Sequence, residues 1–331
     1  MAVKASKNPT LLDLASRMVD GSVEKEIIEM LAETNEMMED MTFVECNDGT
    51  SHKTTIRSGL PEATWRELNY GVQPSKSKTK QIKDATGMLE AYAEIDKALA
   101  DLNGNTADFR MSEDAAHIEA MNQGFMDTVI YGNTAIHPQK FMGLAPRFNS
   151  LTAENGQNII DCGGTGSDNT SVWLVVWGKK TAHGLYPKGS KAGLQMRDLG
   201  EHTLEDADGG KYQGYRSHYK WDPGLTVRDW RYVVRLANID VSALTKDAAS
   251  GVDLVDKFTE ALELLPPGYA AAGHPVFYCN RTVRSYLRRQ IKNAKNMNLT
   301  LETVAGKPVV AFDGVPVKRV DAILNTEAQV V

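Results

Sequence analysis

The sequence predicts an α+β protein, in which helices and strands are mixed along 331 residues. Three observations support this prediction. Residues 112–131 have the apolar spacing of a long amphipathic helix, residues 172–177 form an apolar run typical of a buried strand, and residues 299–320 divide into three strand-like runs. Hydrophobic residues make up 42% and charged residues 24% of the chain, which is ordinary globular composition and excludes wholesale disorder. The length corresponds to about two domains at roughly 150 residues each.

The N-terminal part of the chain predicts two short helices over residues 10–37. Thr10 and Ser22 are suitable helix caps, and Asp20-Gly21 separates the two segments. Nine acidic residues and one lysine lie between Glu24 and Asp48, a local net charge of −8. No apolar h-region follows the first residues and no apolar run reaches 18 residues. We therefore expect a soluble protein made inside the cell, without a secretory signal or a transmembrane helix.

The sign of the charge reverses after Asp48, where a long hairpin is predicted. Strand-like runs at Thr50–Arg57 and Ser75–Ile82 flank a middle that holds Trp65 and Tyr70, and residues 49–83 carry a net charge of +5. Three lysines of the second run, the alternating lysines, fall on one face of a strand: Lys76, Lys78 and Lys80. Because these arms have almost nothing to bury, the hairpin must lie on the rest of the chain or on a neighbouring copy.

The middle of the chain contains the clearest helix and the strands that follow it. A helix is predicted over Ser112–Tyr131, with Ser112 at its N-terminus. Its buried stripe comprises Ile118, Met121, Phe125 and Val129. Strands are predicted at Val172–Trp177, Tyr212–Trp221 and Leu225–Ala237. The last two strands flank Asp222-Pro223-Gly224, which has the composition of a turn.

The C-terminal third predicts two helices, one strand between them and a closing meander. A helix over Asp253–Leu265 ends at a Pro-Pro-Gly sequence, and Asn280 caps a second helix that runs to about Lys295. The predicted strands are Pro275–Cys279, Leu299–Val304, Lys307–Phe312 and Val315–Val320. The Asp313-Gly314 pair between the last two is a strong hairpin signal.

No motif for catalysis or for ligand binding is complete. Gly163–Gly166 leads into a strand rather than a helix, so a turn is a better interpretation than a dinucleotide-binding loop. The histidines lack the i, i+4 spacing of a helical metal pair. The cysteines stand far apart and predict reduced structural thiols: Cys46, Cys162 and Cys279. We therefore predict no catalytic residue, no metal, no cofactor and no enzymatic activity.

One charged constellation remains. Five cations recur at helical spacing on one face of the helix after Asn280: Arg281, Arg284, Arg288, Lys292 and Lys295. The opposite face carries Val283, Leu287 and Ile291. Three alternatives remain open for the cations: a solvated face, contact with carboxylates of another subunit, or contact with phosphates. The formal net charge of −6 is too mildly acidic for bulk charge to predict a nucleic-acid binder.

Several short motifs occur together in a recognisable order. They are Gly87–Glu94, Glu119–Gln123, Ile130–Asn133, Trp173–Gly178, Pro187–Leu194, Tyr219–Asp222 and Arg228–Arg235. Spread over about residues 20–325, this set resembles the major capsid proteins of a group of short-tailed double-stranded DNA bacteriophages. The resemblance implies the Hong Kong 97-type capsid fold. Its parts would be an N-terminal arm (1–48), an extended loop or E-loop (49–95), a peripheral domain (96–237) with spine helix 112–131, an axial domain (238–300), and a closing β-meander (301–331) that returns to the peripheral domain.

The resemblance also implies a function. The chain would be a structural subunit that assembles as pentamers and hexamers into an icosahedral shell around packaged DNA. It would be made and assembled in the host cytoplasm and found in the virion. Other expected partners are a separate scaffold protein, because the chain begins almost directly with the arm, together with a portal, a cement protein and DNA held by non-specific contact, but no membrane. The candidate intersubunit contacts are the alternating lysines, Trp65, Tyr70 and the five cations of the basic helix. The alternative is a nucleic-acid-binding protein that uses the basic helix 281–295.

Overall fold

A computed structural model describes residues 9, 18–19, 22–23, 33–102, 106–206, 208–245, 251–292, 299–304 and 307–331. It contains both helices and sheets, as the sequence predicts. The chain divides into two compact units. The first comprises Met1–Thr34, Met88–Asp127 and Gly193–Asp222, and the second comprises Asn35–Gly87, Thr128–Ala192 and Pro223–Val331.

The helices and strands are numbered here in chain order. The strands are β1 (Met18–Val19), β2 (Ser22–Val23), β3 (Phe43–Glu45), β4 (Ser51–Gly59), β5 (Lys78–Ala85), β6 (Leu89–Asp96), β7 (Ile159–Asp161), β8 (Asn169–Trp177), β9 (Ala182–Tyr186), β10 (Gln195–Glu205), β11 (Lys211–Trp221), β12 (Gly224–Val227), β13 (Val233–Asp240), β14 (His274–Cys279), β15 (Leu299–Val304), β16 (Lys307–Phe312) and β17 (Val315–Arg319). The helices are α1 (Met37–Asp40), α2 (Lys97–Ala100), α3 (Thr106–Tyr131), α4 (Leu254–Glu263), α5 (Tyr269–Ala272) and α6 (Arg281–Lys292).

In the first unit, the long helix α3 packs on an antiparallel sheet of order β10-β11-β6. The ring of Phe125 lies 4.2 Å from that of Trp221, and Arg110 lies over the ring of Tyr215. Every second residue of β11 therefore points to the helix, because side chains alternate between the two faces of a strand.

The predicted helix start at Ser112 is wrong, because α3 begins six residues earlier, at Thr106. Ser112 donates its hydroxyl proton to the Phe109 carbonyl oxygen (3.0 Å), so its side chain bonds to the preceding turn instead of capping the helix. Ile118 is also not part of the buried stripe: it is 41% exposed, whereas Met121, Phe125 and Val129 are buried as predicted.

In the described part of the second unit, ten strands form one mixed sheet of order β12-β9-β8-β14-β17-β16-β15, with β13 beside β8, β7 beside β13 and β3 beside β9. All nine residues of β8 are buried, which confirms the strand predicted from its apolar run. The main core lies between one face of this sheet and helices α4 and α6. Phe258 of α4 stacks on Phe277 of β14 at 4.5 Å, and Val283 and Leu287 of α6 are fully buried.

The predicted strand Leu225–Ala237 is wrong as a single element. It is divided into β12 and β13 by a 3-10 turn at Trp230–Tyr232. The side chain of Asp229 accepts hydrogen bonds from the backbone nitrogen and the guanidinium of Arg231, which stabilises that turn. The apparent alternation of apolar and polar residues here therefore does not reflect one continuous strand.

The two helices predicted over residues 10–37 are wrong wherever the structure describes this segment. β1 and β2 pair as antiparallel strands, Met18 with Val23 and Val19 with Ser22. The intervening Asp-Gly sequence is a preferred hairpin connection, which explains why strands form there. Helix α1 begins only at Met37. Residues 10–17, 20–21 and 24–32 of this segment, including the predicted cap Thr10, lie outside the described residues.

The C-terminal elements agree with the sequence. Asp253 caps α4 through its side chain, and the Asn280 side-chain oxygen accepts the hydrogen bond of Val283 N at the start of α6 (2.9 Å). The three closing strands form the predicted meander, with β15 antiparallel to β16 and β16 antiparallel to β17. The cysteines are free and buried, which confirms the prediction of structural thiols. Among the described residues no helix has the length and hydropathy needed to cross a bilayer.

Candidate assembly surfaces

The tip of the hairpin β4–β5 carries large apolar side chains that face solvent. Trp65 is fully exposed, Leu68 is 85% exposed, and Leu60 and Tyr70 are also exposed. Trp65 and Tyr70 are two of the contact residues predicted from the sequence, and Leu60 and Leu68 are missed by it. A cluster of this kind is typical of a surface that another molecule covers.

The alternating lysines lie at the second arm of the hairpin, and all three are exposed. Lys78 pairs with Gly59 and Lys80 with Ile56 across the hairpin, whereas Lys76 precedes β5. None of the three has an ion pair with any residue that the structure describes. Their charges are therefore available to a partner.

A polar cluster lies beneath the base of the hairpin. Asp84 of β5 is buried and accepts hydrogen bonds from Arg147 (2.9 Å) and from the hydroxyl of Thr226. His52 and His183 are buried beside it, with ring centroids 5.7 Å apart. Burial, together with the nearby charges of His52 and Arg228, lowers the pKa of His183 to about 4. The hairpin base is therefore bound to the rest of the second unit through polar side chains.

A groove of about 740 Å³ runs along β4, between Thr54–Leu60 and the turn at Trp230. Its charged lining is mainly basic, with Arg57, Lys180 and Arg228 among its cations. Such a groove suits an acidic, extended segment because strand β4 pairs only with β5 in the described sheet.

The acidic segment around α1 is bound to the second unit by its own ion pairs. Asp40 accepts hydrogen bonds from the Tyr278 hydroxyl (2.7 Å) and from Lys318 Nζ (2.6 Å). Glu36 pairs with Arg284 of α6 at 3.1 Å. Burial raises the pKa of the Tyr278 hydroxyl well above its ordinary value, and the negative charge of Asp40 raises it further.

Of the five cations of the predicted basic face, those that the structure describes differ in their exposure and in their partners. Arg284 is half-buried against Glu36, whereas the Arg281 side chain is 71% exposed with one long contact to Asp321 (3.4 Å). Arg288 is exposed. The side chain of Lys292, and Lys295 as a whole, lie outside the described residues. Arg289, which is not among the five, is exposed too, and its guanidinium lies over the Tyr286 ring.

An acidic helix face is missed by the sequence reasoning above. Asp256, Glu260 and Glu263 of α4 are all exposed. Their i, i+4, i+7 spacing places them on one side of the helix, and this spacing is the sequence signal that could have identified them.

The sites rejected on sequence grounds have ordinary structural roles. Gly163 adopts a positive φ of 80°, and Gly164 N donates to the Asn238 carbonyl oxygen, so residues 163–166 form an irregular loop bonded to β13. Among the described residues, no group of three or more His, Cys, Asp and Glu side chains is arranged to hold a metal ion.

Comparison with known proteins gives one family. The family model for major capsid protein GP7 matches residues 19–331. A chain in the cryo-EM structure of bacteriophage Epsilon15 is 43% identical, with a TM-score of 0.78, and the match covers 100% of this chain and 99% of that one. The capsid of bacteriophage JBD30 is 9% identical with a TM-score of 0.50, covering 91% of this chain and 95% of that one, which supports the fold alone. No curated protein matches the chain significantly.

These matches confirm the resemblance that the motifs indicated, the Hong Kong 97-type fold and the shell function. A shell subunit needs surfaces that bind other subunits, which agrees with the exposed apolar hairpin tip and the charged helix faces described above. The chain belongs to the major capsid protein GP7 family and is a structural subunit of the icosahedral capsid of a bacteriophage virion.

Proposed function

We propose that the chain builds its shell from pentamers and hexamers in which the hairpin β4–β5 lies on a neighbouring copy. The observation that carries this proposal is the exposed apolar tip, with Trp65, Leu68, Leu60 and Tyr70 in solvent. Burying such a side chain contributes about 1.5–3 kcal/mol. A contact with the next subunit would therefore offset part of the ordering entropy of the loop, which is roughly 1–2 kcal/mol per residue.

The charges on the hairpin suggest the partner segment. The alternating lysines and the groove along β4 are basic, and residues 24–48 carry a local net charge of −8. We propose that the acidic segment of one copy contacts the basic hairpin of the next. Several pairs must act together, because an exposed pair contributes only about 0–1 kcal/mol.

The domain division expected from the resemblance is proposed as well. Residues 1–48 would form the N-terminal arm and 49–95 the E-loop, which contains the hairpin. Residues 96–237 would form the peripheral domain, with α3 as its spine helix, and 238–300 the axial domain. Residues 301–331 would return to the peripheral domain. A scaffold protein, a portal, a cement protein and non-specifically bound DNA are proposed partners, and we propose no enzymatic activity.

A second role, binding of nucleic acid by helix 281–295, is favoured by one observation: Arg281, Arg288 and Arg289 are exposed. If three such cations contact phosphates, the logarithm of the affinity for duplex DNA should fall with the logarithm of salt concentration with a slope of about −3. Fluorescence anisotropy of the unassembled subunit at several salt concentrations measures this slope. An affinity that does not depend on salt contradicts this second role.

The hairpin proposal is tested with the variant Trp65→Ser/Tyr70→Ser. Both side chains are exposed in the subunit, so the variant should fold normally but form far fewer shells by negative-stain microscopy. The control Ile136→Ser removes another exposed apolar side chain, outside the hairpin, and should assemble normally. Hydrogen exchange should be fast in residues 51–85 of the free subunit and slow in the shell. Normal shells from the double variant, or equal protection in both states, would contradict the proposal.

A further inference from the structure

Helix α4 presents an acidic face that the described part of the chain neutralises only in part. Asp256, Glu260 and Glu263 are exposed on one side, and Glu260 is paired with Lys257 of the same helix at 2.7 Å. Asp256 and Glu263 have no ion pair with any described residue. Like charges at this spacing repel one another, so the face is destabilising in an isolated subunit unless ions or a partner offset it.

Helix α6 presents the opposite charge. Arg281, Arg288 and Arg289 are exposed on it, and Arg288 has no ion pair within the described part of the chain. Arg284 is excluded from this set because Glu36 of the same subunit already binds it at 3.1 Å. Arginine at such a surface is suited to carboxylate partners, since its planar guanidinium donates two parallel hydrogen bonds.

The two charged helices lie on one face of the sheet in the second unit, but they pack on different strands of it. Helix α4 packs beside β13 and helix α6 beside β17, which are separated by β8 and β14 in the sheet. Burial, together with smaller effects of nearby charges, raises the pKa of both Cys162 and Cys279 to about 12. The charges of Lys257 and Glu260 of α4 shift the pKa of Cys162, which follows β7. The charge of Arg284 of α6 lowers the pKa of Cys279, at the end of β14. No ion pair joins α4 to α6 among the residues that the structure describes.

We propose that the acidic face of α4 in one subunit binds the basic face of α6 in the next subunit of the same capsomer. This inference rests on the proposed pentamers and hexamers and names one of their contact surfaces. Two different, complementary surfaces on one chain make a head-to-tail contact, and such contacts close into rings when the rotation between subunits permits. The occupant of each face is therefore a second copy of this chain, and the attraction is electrostatic.

The test uses charge reversal in the full-length chain, under conditions in which the wild type forms capsomers or shells. The acid-reversed variant is Asp256→Lys/Glu263→Lys, and the base-reversed variant is Arg281→Glu/Arg288→Glu. Each places like charges at every contact, so each should lose more than about tenfold in sedimenting particles. The matched control Lys188→Glu/Lys191→Glu reverses two exposed charges outside both helices and the hairpin groove and should assemble like the wild type.

Combining the reversals identifies the pairing. A chain that carries all four substitutions has both faces exchanged and should assemble again. Co-expressed acid-reversed and base-reversed chains attract each other but repel themselves, so they can alternate around six positions but not around five. This mixture should give six-membered rings without closed shells.

The inference is overturned if either reversed variant assembles as well as the wild type. It is also overturned if the four-substitution chain fails to assemble although its thermal unfolding matches that of the wild type. Both differ from failure of the proposed function, in which the wild-type chain itself forms no five- or six-membered rings. High salt provides a further readout, because the Debye length falls from about 10 Å at 0.1 M to about 3 Å at 1 M. Wild-type rings should dissociate as salt rises; if they are insensitive to it, the contact is not electrostatic.

Discussion

Arg235 provides the sharpest test of how the subunit core is stabilised. It is only 4% exposed, and its guanidinium donates to Glu327 (2.8 Å), to the Ser171 hydroxyl (3.0 Å) and to the Phe148 carbonyl oxygen (2.7 Å). It also lies over the Trp173 ring at 5.1 Å. Glu327 is 6% exposed, so the ion pair between β13 and the C-terminal segment is buried and shielded from water.

Replacing Arg235 by Leu leaves the Glu327 carboxylate buried without its cation. Removing one partner of a buried ion pair typically costs about 3–5 kcal/mol, so we expect a loss of that size in the free energy of unfolding. The matched control is Arg231→Leu, which removes an exposed cation paired with Asp229 at 2.7 Å. That pair is screened by water, and its loss should cost about 0–1 kcal/mol.

Urea unfolding of the unassembled subunit, followed by tryptophan fluorescence and by circular dichroism, measures both values. The double variant Arg235→Leu/Glu327→Leu should recover part of the loss, because no unpaired charge then remains buried. If Arg235→Leu costs no more than Arg231→Leu, the buried pair does not stabilise the fold and this reasoning is refuted.

Three further predictions concern pH, backbone packing and charge. Because the folded pKa of His183 is about 4, below its ordinary 6.5, the unfolded chain binds this proton first. The neutral, buried His183 therefore stabilises the fold fully above about pH 6.5, and this contribution of about 3 kcal/mol is lost as the pH falls towards 4. The urea midpoint of the wild type should fall over this pH range, and that of His183→Phe should fall less. Gly156→Ala would place a Cβ 2.1 Å from the Leu151 carbonyl oxygen, so this variant should be destabilised by about 1–3 kcal/mol. Gly124→Ala in α3 places its Cβ where no described atom outside the helix's own backbone lies within 4 Å, so it should be stabilised by about 0.5–1 kcal/mol. Equal thermal midpoints for the two variants would contradict this prediction. Changing the alternating lysines to Glu should leave the thermal midpoint unchanged and reduce shell yield, and normal yields at low and high salt would disprove their role in assembly.

Local patterns in the sequence determined much of the fold. The unbroken apolar run identified β8, the Asp-Gly pair identified the β16–β17 hairpin, and Asn280 marked the start of α6. The scarcity of apolar residues in the hairpin arms predicts a segment that needs a second surface, and this stays a prediction. These signals depend on neighbours a few residues apart, where backbone geometry and side-chain spacing decide the structure.

Tertiary structure alone decided the features that depend on distant partners. Ile118 has the spacing of a buried residue, yet the described residues leave it 41% exposed. Arg284 belongs to the basic stripe by sequence, but its partner Glu36 lies 248 positions away. Nothing in the sequence around His183 indicates a shifted pKa, because the lowering comes from burial and from the nearby charges, including that of His52. Periodicity indicates which face of an element is apolar, but burial and charge pairing depend on which remote residues meet it, and only the folded chain specifies them.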